Sequence, residues 1–319
     1  MGDQDPALVI DIGGTKLAAA VAEPGGRLIT WAQIPTPRDV DAEQLWRTVE
    51  ALLDRVLEAA RITAVRDLAG VGVGCGGPME WPAGIVSPLN IPAWRSFPLR
   101  ARVQDRFRGV PVRLHNDAIC LVVGEHWRGA GRGRQNVLGM VVSTGVGGGL
   151  ILDGRVIEGA SGNAGHIGHV VVDADNGPPC TCGGRGCLEA IARGPAVVAW
   201  AQGQGWRPGQ HDATASDLAG DAAQGHPAGL AAMHRAGRAL GIAIASATHL
   251  CDLEVVSVGG GLSQAGAVLF DPLEEALRTH ARMQFAREVR VVAAALGQSA
   301  GLVGAAGLIF AADRYWTGE

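Results

Sequence analysis

The chain has 319 residues, 47% apolar and 18% charged, which is long enough for one large or two medium domains and too apolar for a disordered chain. Its net charge of −4, with only scattered arginines such as Arg128, Arg132 and Arg134, argues against a nucleic-acid partner. The 48 glycines are about twice the usual share, lack the every-third-residue period of collagen, and cluster in short loops.

The N-terminal stretch MGDQDPALVI has no basic region followed by an apolar run, and Pro6 breaks the myristoylation pattern. A cytoplasmic location with no membrane partner is therefore expected. ALVIDIGG reads as a buried strand ended by a glycine pair, and TKLAAAVAEPGGRLITWAQI as two more strands turning at Pro24-Gly25-Gly26. Residues 41 to 60 place Leu45, Val49, Leu52, Leu53, Val56 and Leu57 at helical spacing. DLAGVGVGC is another strand, and RFRGVPVRLHNDAICLVVGEHWRG is a strand running into a helix.

The second half opens as the first does, since NVLGMVVSTGVGGGLILDGRVI is again strand, glycine turn and strand. Helices near 188 to 202 and 227 to 250 follow, then the strand EVVSVGGG, a helix from about 264 to 282, a strand near 289 to 295 and a last helix. The uncharged stretch at 291 to 312 is broken by Gly297, Gln298 and Ser299, so it reads as buried strand, turn and buried helix rather than a membrane span. Alternating strands and helices predict an α/β fold, and the repeated opening predicts two similar halves facing a cleft. Hinges are expected near 113 to 118 and 296 to 303.

Three glycine loops end strands. DIGGTK supplies Gly13 and Gly14, whose backbone freedom turns amides toward an anion, with the Thr15 hydroxyl beside them and Asp11 placed to orient a magnesium ion through water. An ordinary hairpin turn accounts for the same four residues. STGVGGG repeats the pattern with Thr144, Gly145 and Gly147, and VGGG at Gly259, Gly260 and Gly261 is bare enough for a nucleotide base. A P-loop is absent. Gly72, Gly74 and Gly77 match the spacing of a dinucleotide fingerprint, but Pro78 and Pro82 follow where a helix would have to start. In LHNDA, Asn116 and Asp117 project from a strand end. Asp117 serves there as a general base, as the cap of the following helix, or as both.

Cys75, Cys120 and Cys251 are isolated in apolar surroundings and read as small core residues. Cys180, Cys182 and Cys187 lie close to His166 and His169, and without a secretion signal such clustering points to metal before disulfides.

Taken in order, DIGGTK, HNDA, STGVGGG, GHVVVDADNGPPCTCGGRGCLE and VGGG resemble the ROK family of bacterial sugar kinases and repressors over nearly the whole chain. The resemblance implies the two-domain actin-like ATPase fold shared with hexokinases. The boundaries expected on it are 1–115 plus about 300–319 for a small domain, and 116–299 for a large domain carrying the zinc loop. It implies ATP- and Mg2+-dependent phosphorylation of a hexose at the 6-hydroxyl, in a homodimer or homotetramer. The acceptors in view are glucose or an amino sugar: N-acetylglucosamine, N-acetylmannosamine or 3-amino-3-deoxyglucose. By the same resemblance Asp117 is the base. Gly77, Asn116, Asp117, His166, His169 and Glu189 surround the sugar. Asp11, Gly13, Gly14, Thr15, Lys16, Thr144, Gly145 and Gly147 hold phosphates or magnesium, and Gly259, Gly260 and Gly261 line the adenosine pocket.

His169 with Cys180, Cys182 and Cys187 gives three thiolates and one imidazole, a closed set for structural zinc that leaves no position for a catalytic water. One departure stands out. Kinase members usually carry Glu where this chain has His166, and Arg193 also replaces a small residue. A carboxylate only accepts hydrogen bonds, whereas a neutral imidazole donates one and accepts one. His166 is thus either a tolerated variant in a glucose enzyme or the mark of a shifted substrate. The rival readings are a non-catalytic sugar sensor and a repressor-derived regulator. Repressors of the family carry a helix-turn-helix ahead of the sugar domain, and with the first glycine loop already at Asp11 none is expected here.

Overall fold

The apolar N-terminal run forms β1 (Ala7–Ile12), which turns back through β2 (Lys16–Ala22) and β3 (Leu28–Pro35) as an antiparallel meander. This computed structural model describes residues 5–208 and 213–318. Asp41 starts α1 (Ala42–Ala59) with a reciprocal capping box, its Oδ1 accepting from Gln44 N at 2.7 Å and Gln44 Oε1 accepting from Asp41 N at 3.0 Å. The spacing seen in the sequence becomes the buried stripe Leu45, Trp46, Val49, Leu52, Leu53 and Val56.

Next come β4 (Gly70–Cys75), a short hairpin of β5 (Met79–Glu80) and β6 (Ile85–Val86), α2 (Leu99–Arg106), β7 (Val112–Asn116) and α3 (Asp117–Arg128). The five-stranded order is β3-β2-β1-β4-β7, with β1, β4 and β7 parallel. Leu8, Ile10, Val71, Val73 and Leu114 join the α1 stripe in one core. Full burial of such side chains is worth about 1.5–3 kcal/mol each.

β8 (Val137–Val142) and β9 (Val146–Leu152) follow, the far end of β9 pairing with β10 (Arg155–Ile157). Then come α4 (Leu188–Ala192), α5 (Gly194–Gly203), α6 (Ala215–Ala223), α7 (Pro227–Cys251), β11 (Val255–Gly259), α8 (Ala267–His280), β12 (Arg290–Ala293), α9 (Ala300–Phe310) and α10 (Ala312–Tyr315). β8, β11 and β12 are parallel.

The chain divides into two compact units. Met1–Gly133, Gly149–Ala164 and Gln298–Glu319 make the first, and Arg134–Gly148 with Gly165–Gly297 make the second. The chain passes from the second unit back to the first at 297–298. Residues 113–118 lie inside the first unit, in β7 and the start of α3.

Several expectations needed correction. The helix expected near 188 to 202 is two helices, because Arg193 is extended (φ −65, ψ 145) and Pro195 starts α5. α2, α6 and the β5–β6 hairpin have no counterpart among the elements expected from the sequence. The strand within 291 to 312 is not buried: β12 is a sheet edge with Arg290 and Ala293 exposed. α9 does bury Leu302, Val303, Ala305, Ala306 and Leu308. Cys75 and Cys120 are fully buried, but Cys251 is only partly so. Among the described residues no helix is long and apolar enough to cross a membrane.

Candidate active site

In the first unit three parallel strands end together. The register pairs Ile12 with Cys75 and Cys75 with Asn116, so Asp11, Gly76, Asn116 and Asp117 come to one edge of the sheet. Ligands of open α/β sheets gather at this carboxyl edge. Both carboxylates titrate unusually. Burial, then the charge of Asp117, raises Asp11 from the usual 3.8 to about 7, while Lys16 pulls the other way. Burial also raises Asp117, opposed by the backbone N–H groups of Ala118 and of Asp117 itself. A Cβ added at Gly76 would stand 3.8 Å from Asp117 Oδ2, and one at Gly301 would stand 3.0 Å from Asp11 Oδ2, so each carboxylate rests against a bare glycine.

The cap of α3 is Asn116 rather than Asp117. Asn116 Oδ1 accepts from Ala118 N at 2.9 Å, and Asp117 Oδ1 accepts from the same amide at 2.7 Å. His115, unnoticed in the sequence, is fully buried and pushed down to about 3, so it is neutral. Its Nδ1 accepts from Asn116 N at 3.0 Å, and its ring stacks on Trp81.

The first glycine loop is a true hairpin turn, closed by Gly13 N donating to Lys16 O at 3.0 Å. Neither Gly13 nor Gly14 has a positive φ. Gly14 is required instead by close approach, because an added Cβ would lie 2.8 Å from Asn90 O. Thr36 braces the turn, its Oγ1 donating to Gly13 O at 2.6 Å and its N donating to Thr15 O at 3.0 Å. Thr15 is exposed, and Lys16 Nζ donates to Gln298 Oε1 at 3.1 Å. Gly77 O accepts from Leu89 N at 3.2 Å, and β5 and β6 rather than a helix follow it, as the rejection of a dinucleotide fingerprint required.

In the second unit the turn after β8 and the loop after β11 lie at the same end of two parallel neighbours, with Gly259 in register with Val141. Gly260 has φ 91, and an added Cβ would lie 2.8 Å from Val142 N, so only glycine suits this approach of one loop to the other. The Thr144 turn is gripped from the α4–α5 break: Glu189 Oε2 accepts from Val146 N at 2.9 Å, and Gly194 N donates to Ser143 O at 2.7 Å. Thr144 is exposed between these anchors, and Gly145 and Gly147 are partly buried.

His166 immediately precedes a single 3-10 turn at Ile167–His169, and the two histidine rings lie nearly parallel, 6.1 Å apart. His169 Nδ1 is 3.7 Å from Cys180 Sγ, and Cys182 Sγ is 3.8 Å from Cys187 Sγ. All four ligand atoms lie within 4.8 Å of one another. A tetrahedral ion with Zn–S near 2.3 Å needs about 3.8 Å between sulfurs and about 3.6 Å between sulfur and imidazole nitrogen. The four groups therefore have the spacing of a zinc site. Crowding shows in the thiols. Burial, then Cys180 and Cys182, pushes Cys187 up to about 12, whereas the backbone N–H of Gly184, then Cys180, lowers Cys182.

The model of the ROK family matches residues 7–312. A glucokinase of Thermotoga maritima is 34% identical over 314 residues, which is 94% of this chain and 96% of its own length. An N-acetylmannosamine kinase of Yersinia pseudotuberculosis is 35% identical over 301 residues, with shares of 94% and 96%. The solved ROK family glucokinase of Streptomyces griseus, in complex with glucose and AMPPNP, matches with a TM-score of 0.81 at 32% identity, over 95% of this chain and 98% of that one. The chain belongs to the ROK family and has its α/β fold. Within that family it is a sugar kinase.

Proposed function

We propose that the enzyme transfers the γ-phosphoryl group of ATP to the 6-hydroxyl of a hexose, either glucose or an amino sugar. The observation that carries this reading is the pair of carboxylates at the ends of β1 and β7, both held above their usual range by burial. A sugar hydroxyl is a poor nucleophile until its proton is taken. A carboxylate with raised pKa binds that proton more strongly, and Asp117 is the one at a strand-to-helix junction, held by the Ala118 amide. Asn116, with its Oδ1 on the same amide, keeps its Nδ2 for a neighbouring sugar hydroxyl.

Glu189 uses one oxygen on Val146 N, and we assign its other oxygen to the sugar, together with His169 Nε2, His166 and the backbone at Gly77. Thr15 and Thr144, with Gly13, Gly14, Lys16, Gly145 and Gly147, are assigned to the phosphates, and Gly259, Gly260 and Gly261 to the adenosine. Positioning and electrostatics carry most of such a transfer.

Two like charges side by side are a fitting place for a divalent cation. Asp11 would hold a magnesium ion through water, and what such an ion supplies is neutralisation of charge on the phosphates. His169 Nδ1 and the three cysteine sulfurs would hold a structural zinc ion, whose contribution is to folding. That would fix the segment between His169 and Glu189.

The relatives leave the acceptor divided between glucose and N-acetylmannosamine. His166 favours the amino-sugar side, because an imidazole offers both a donor and an acceptor. The test is ADP release across glucose, mannose, N-acetylglucosamine, N-acetylmannosamine and 3-amino-3-deoxyglucose, with wild type and Asp117→Asn. The variant is expected to lose about 10²–10⁴-fold in kcat while still binding sugar. Near-normal turnover by Asp117→Asn refutes the base assignment, and no turnover by wild type with any hexose refutes the reaction.

A further inference from the structure

The loop between β6 and α2 touches both ends of the candidate chemistry in the first unit. Its tip lies against the phosphate turn, since an added Cβ at Gly14 would run into Asn90 O. Near its start Pro88 flanks Gly76, the glycine that the base also approaches: a Cβ added at Gly76 would stand 3.7 Å from Pro88 Cβ and 3.8 Å from Asp117 Oδ2. Leu89 N donates to Gly77 O at 3.2 Å, and Ser87 N to Pro78 O at 2.9 Å, fastening the loop to the segment after β4.

The base of the loop is closed by Ser96 N donating to Ser87 Oγ at 2.9 Å and by a bridge between Val86 and Phe97. Trp94 anchors it in the core, fully buried, with Nε1 on Ala42 O at 3.2 Å. Two backbone turns curve it, Ile91 N donating to Pro88 O and Trp94 N to Ile91 O, both at 3.1 Å, and Arg95 braces them. Its Nη1, with two N–H groups shared among them, faces three carbonyls of the same loop: Pro88 O at 2.9 Å, Ile91 O at 2.9 Å and Trp94 O at 2.6 Å. Three convergent carbonyls repel one another, so the cation between them adds rigidity that the backbone turns alone do not supply.

We infer that Arg95 is a positioning residue for the transfer: it holds loop 87–96 in the shape that seats Asn90 on Gly14 and Pro88 by Gly76, the glycine Asp117 also approaches, so that phosphate turn and base keep one spacing. This rests on the kinase reading above. It touches no substrate itself.

The chemistry makes a sharp distinction among variants. A lysine ammonium has three donors for the three carbonyls, whereas methionine has none. In the full-length enzyme, Arg95→Met is expected to lose about tenfold to hundredfold in kcat, the scale of a small misplacement. Its melting temperature should stay within a few degrees, and Arg95→Lys should recover most of the loss. Gly14→Ala, which forces Asn90 to move, is expected to cost less in the Arg95→Met background than alone, because the loosened loop has already yielded.

Hydrogen exchange gives a readout independent of turnover. Arg95→Met should speed exchange at residues 87–96 and also at 12–17. Unchanged exchange at 12–17 overturns the inference whether or not the enzyme turns over hexose, as do strictly additive kcat losses. An Arg95→Lys variant as poor as Arg95→Met also overturns it. If Arg95→Met does not fold, Asn90→Gly serves instead. Expected to relieve part of the Gly14→Ala defect, it refutes the contact if it relieves none. A wild type inactive on every hexose refutes the kinase reading alone.

Discussion

Replacing Asp11 with asparagine should make the unliganded enzyme more stable while making it a worse catalyst. The carboxyl stands at about 7 in the fold against a usual 3.8, so the folded state favours its protonated form. For a group raised in this way, the stability it contributes is complete below the unfolded value and is lost as pH rises through the folded value. The difference corresponds to about 4 kcal/mol at pH 8 and roughly 1–2 kcal/mol at pH 5. That cost is shared with Asp117, whose charge is the second cause of the shift. Asparagine keeps the shape and removes the charge. Thermal melting of wild type and Asp11→Asn, both in EDTA, should show the variant several degrees higher at pH 8 and much closer to wild type at pH 5. ADP release with hexose should fall at both pH values. A variant that melts equal to or below wild type at pH 8, or shifts equally at both pH values, would refute the reasoning.

The remaining predictions concern the second unit. Purified enzyme should carry one zinc ion per chain, and Cys187→Ser should lose the metal and lower the melting temperature. Metal analysis beside calorimetry checks this, and full stability without zinc contradicts a structural ion. His166→Glu should change the ratio of kcat/KM between glucose and the best amino sugar about tenfold or more, the scale of a mismatched buried polar group. An unchanged ratio across the panel leaves His166 as a tolerated variant.

The parts of the fold legible in the sequence were those whose signal is local. The α1 stripe, the Pro24-Gly25-Gly26 turn, the hairpin at Gly13–Gly14 and the junction at Asn116–Asp117 all follow from a few adjacent residues. The cysteine cluster was legible because its ligands lie within nineteen positions of one another, from His169 to Cys187. What was misread depended on distant partners. Gly14 looks like a residue chosen for backbone freedom, yet its φ is ordinary and Asn90 is the reason for it. The helix from 188 to 202 had the right composition, but Arg193 is pulled into extended backbone where Gly194 donates to Ser143 O. Asn116 and Asp117 both accept from the Ala118 amide, and no spacing rule distinguishes which of them is the cap.

These long-range contacts share one physical logic. A loop that is to meet a phosphate has to keep some of its amides and hydroxyls unspent, so it is held in large part through other atoms. The turn at Gly13–Lys16 is closed by Gly13 N on Lys16 O and braced from outside through its carbonyls, by Thr36 Oγ1 on Gly13 O and Thr36 N on Thr15 O. The turn at Ser143–Val146 is held at its two ends, by Gly194 N on Ser143 O and Glu189 on Val146 N, leaving Thr144 exposed between them. The loop against Gly14 is held from inside by Arg95, leaving the side chain of Asn90 exposed. In the two glycine turns a residue outside the motif supplies the bracing, and in the third loop Arg95 supplies it from within, which is what holding groups to within about half an ångström demands. Sequence motifs record the first requirement. The second is met by any donor or acceptor the fold brings to the right carbonyl or amide, so it leaves no fixed pattern along the chain.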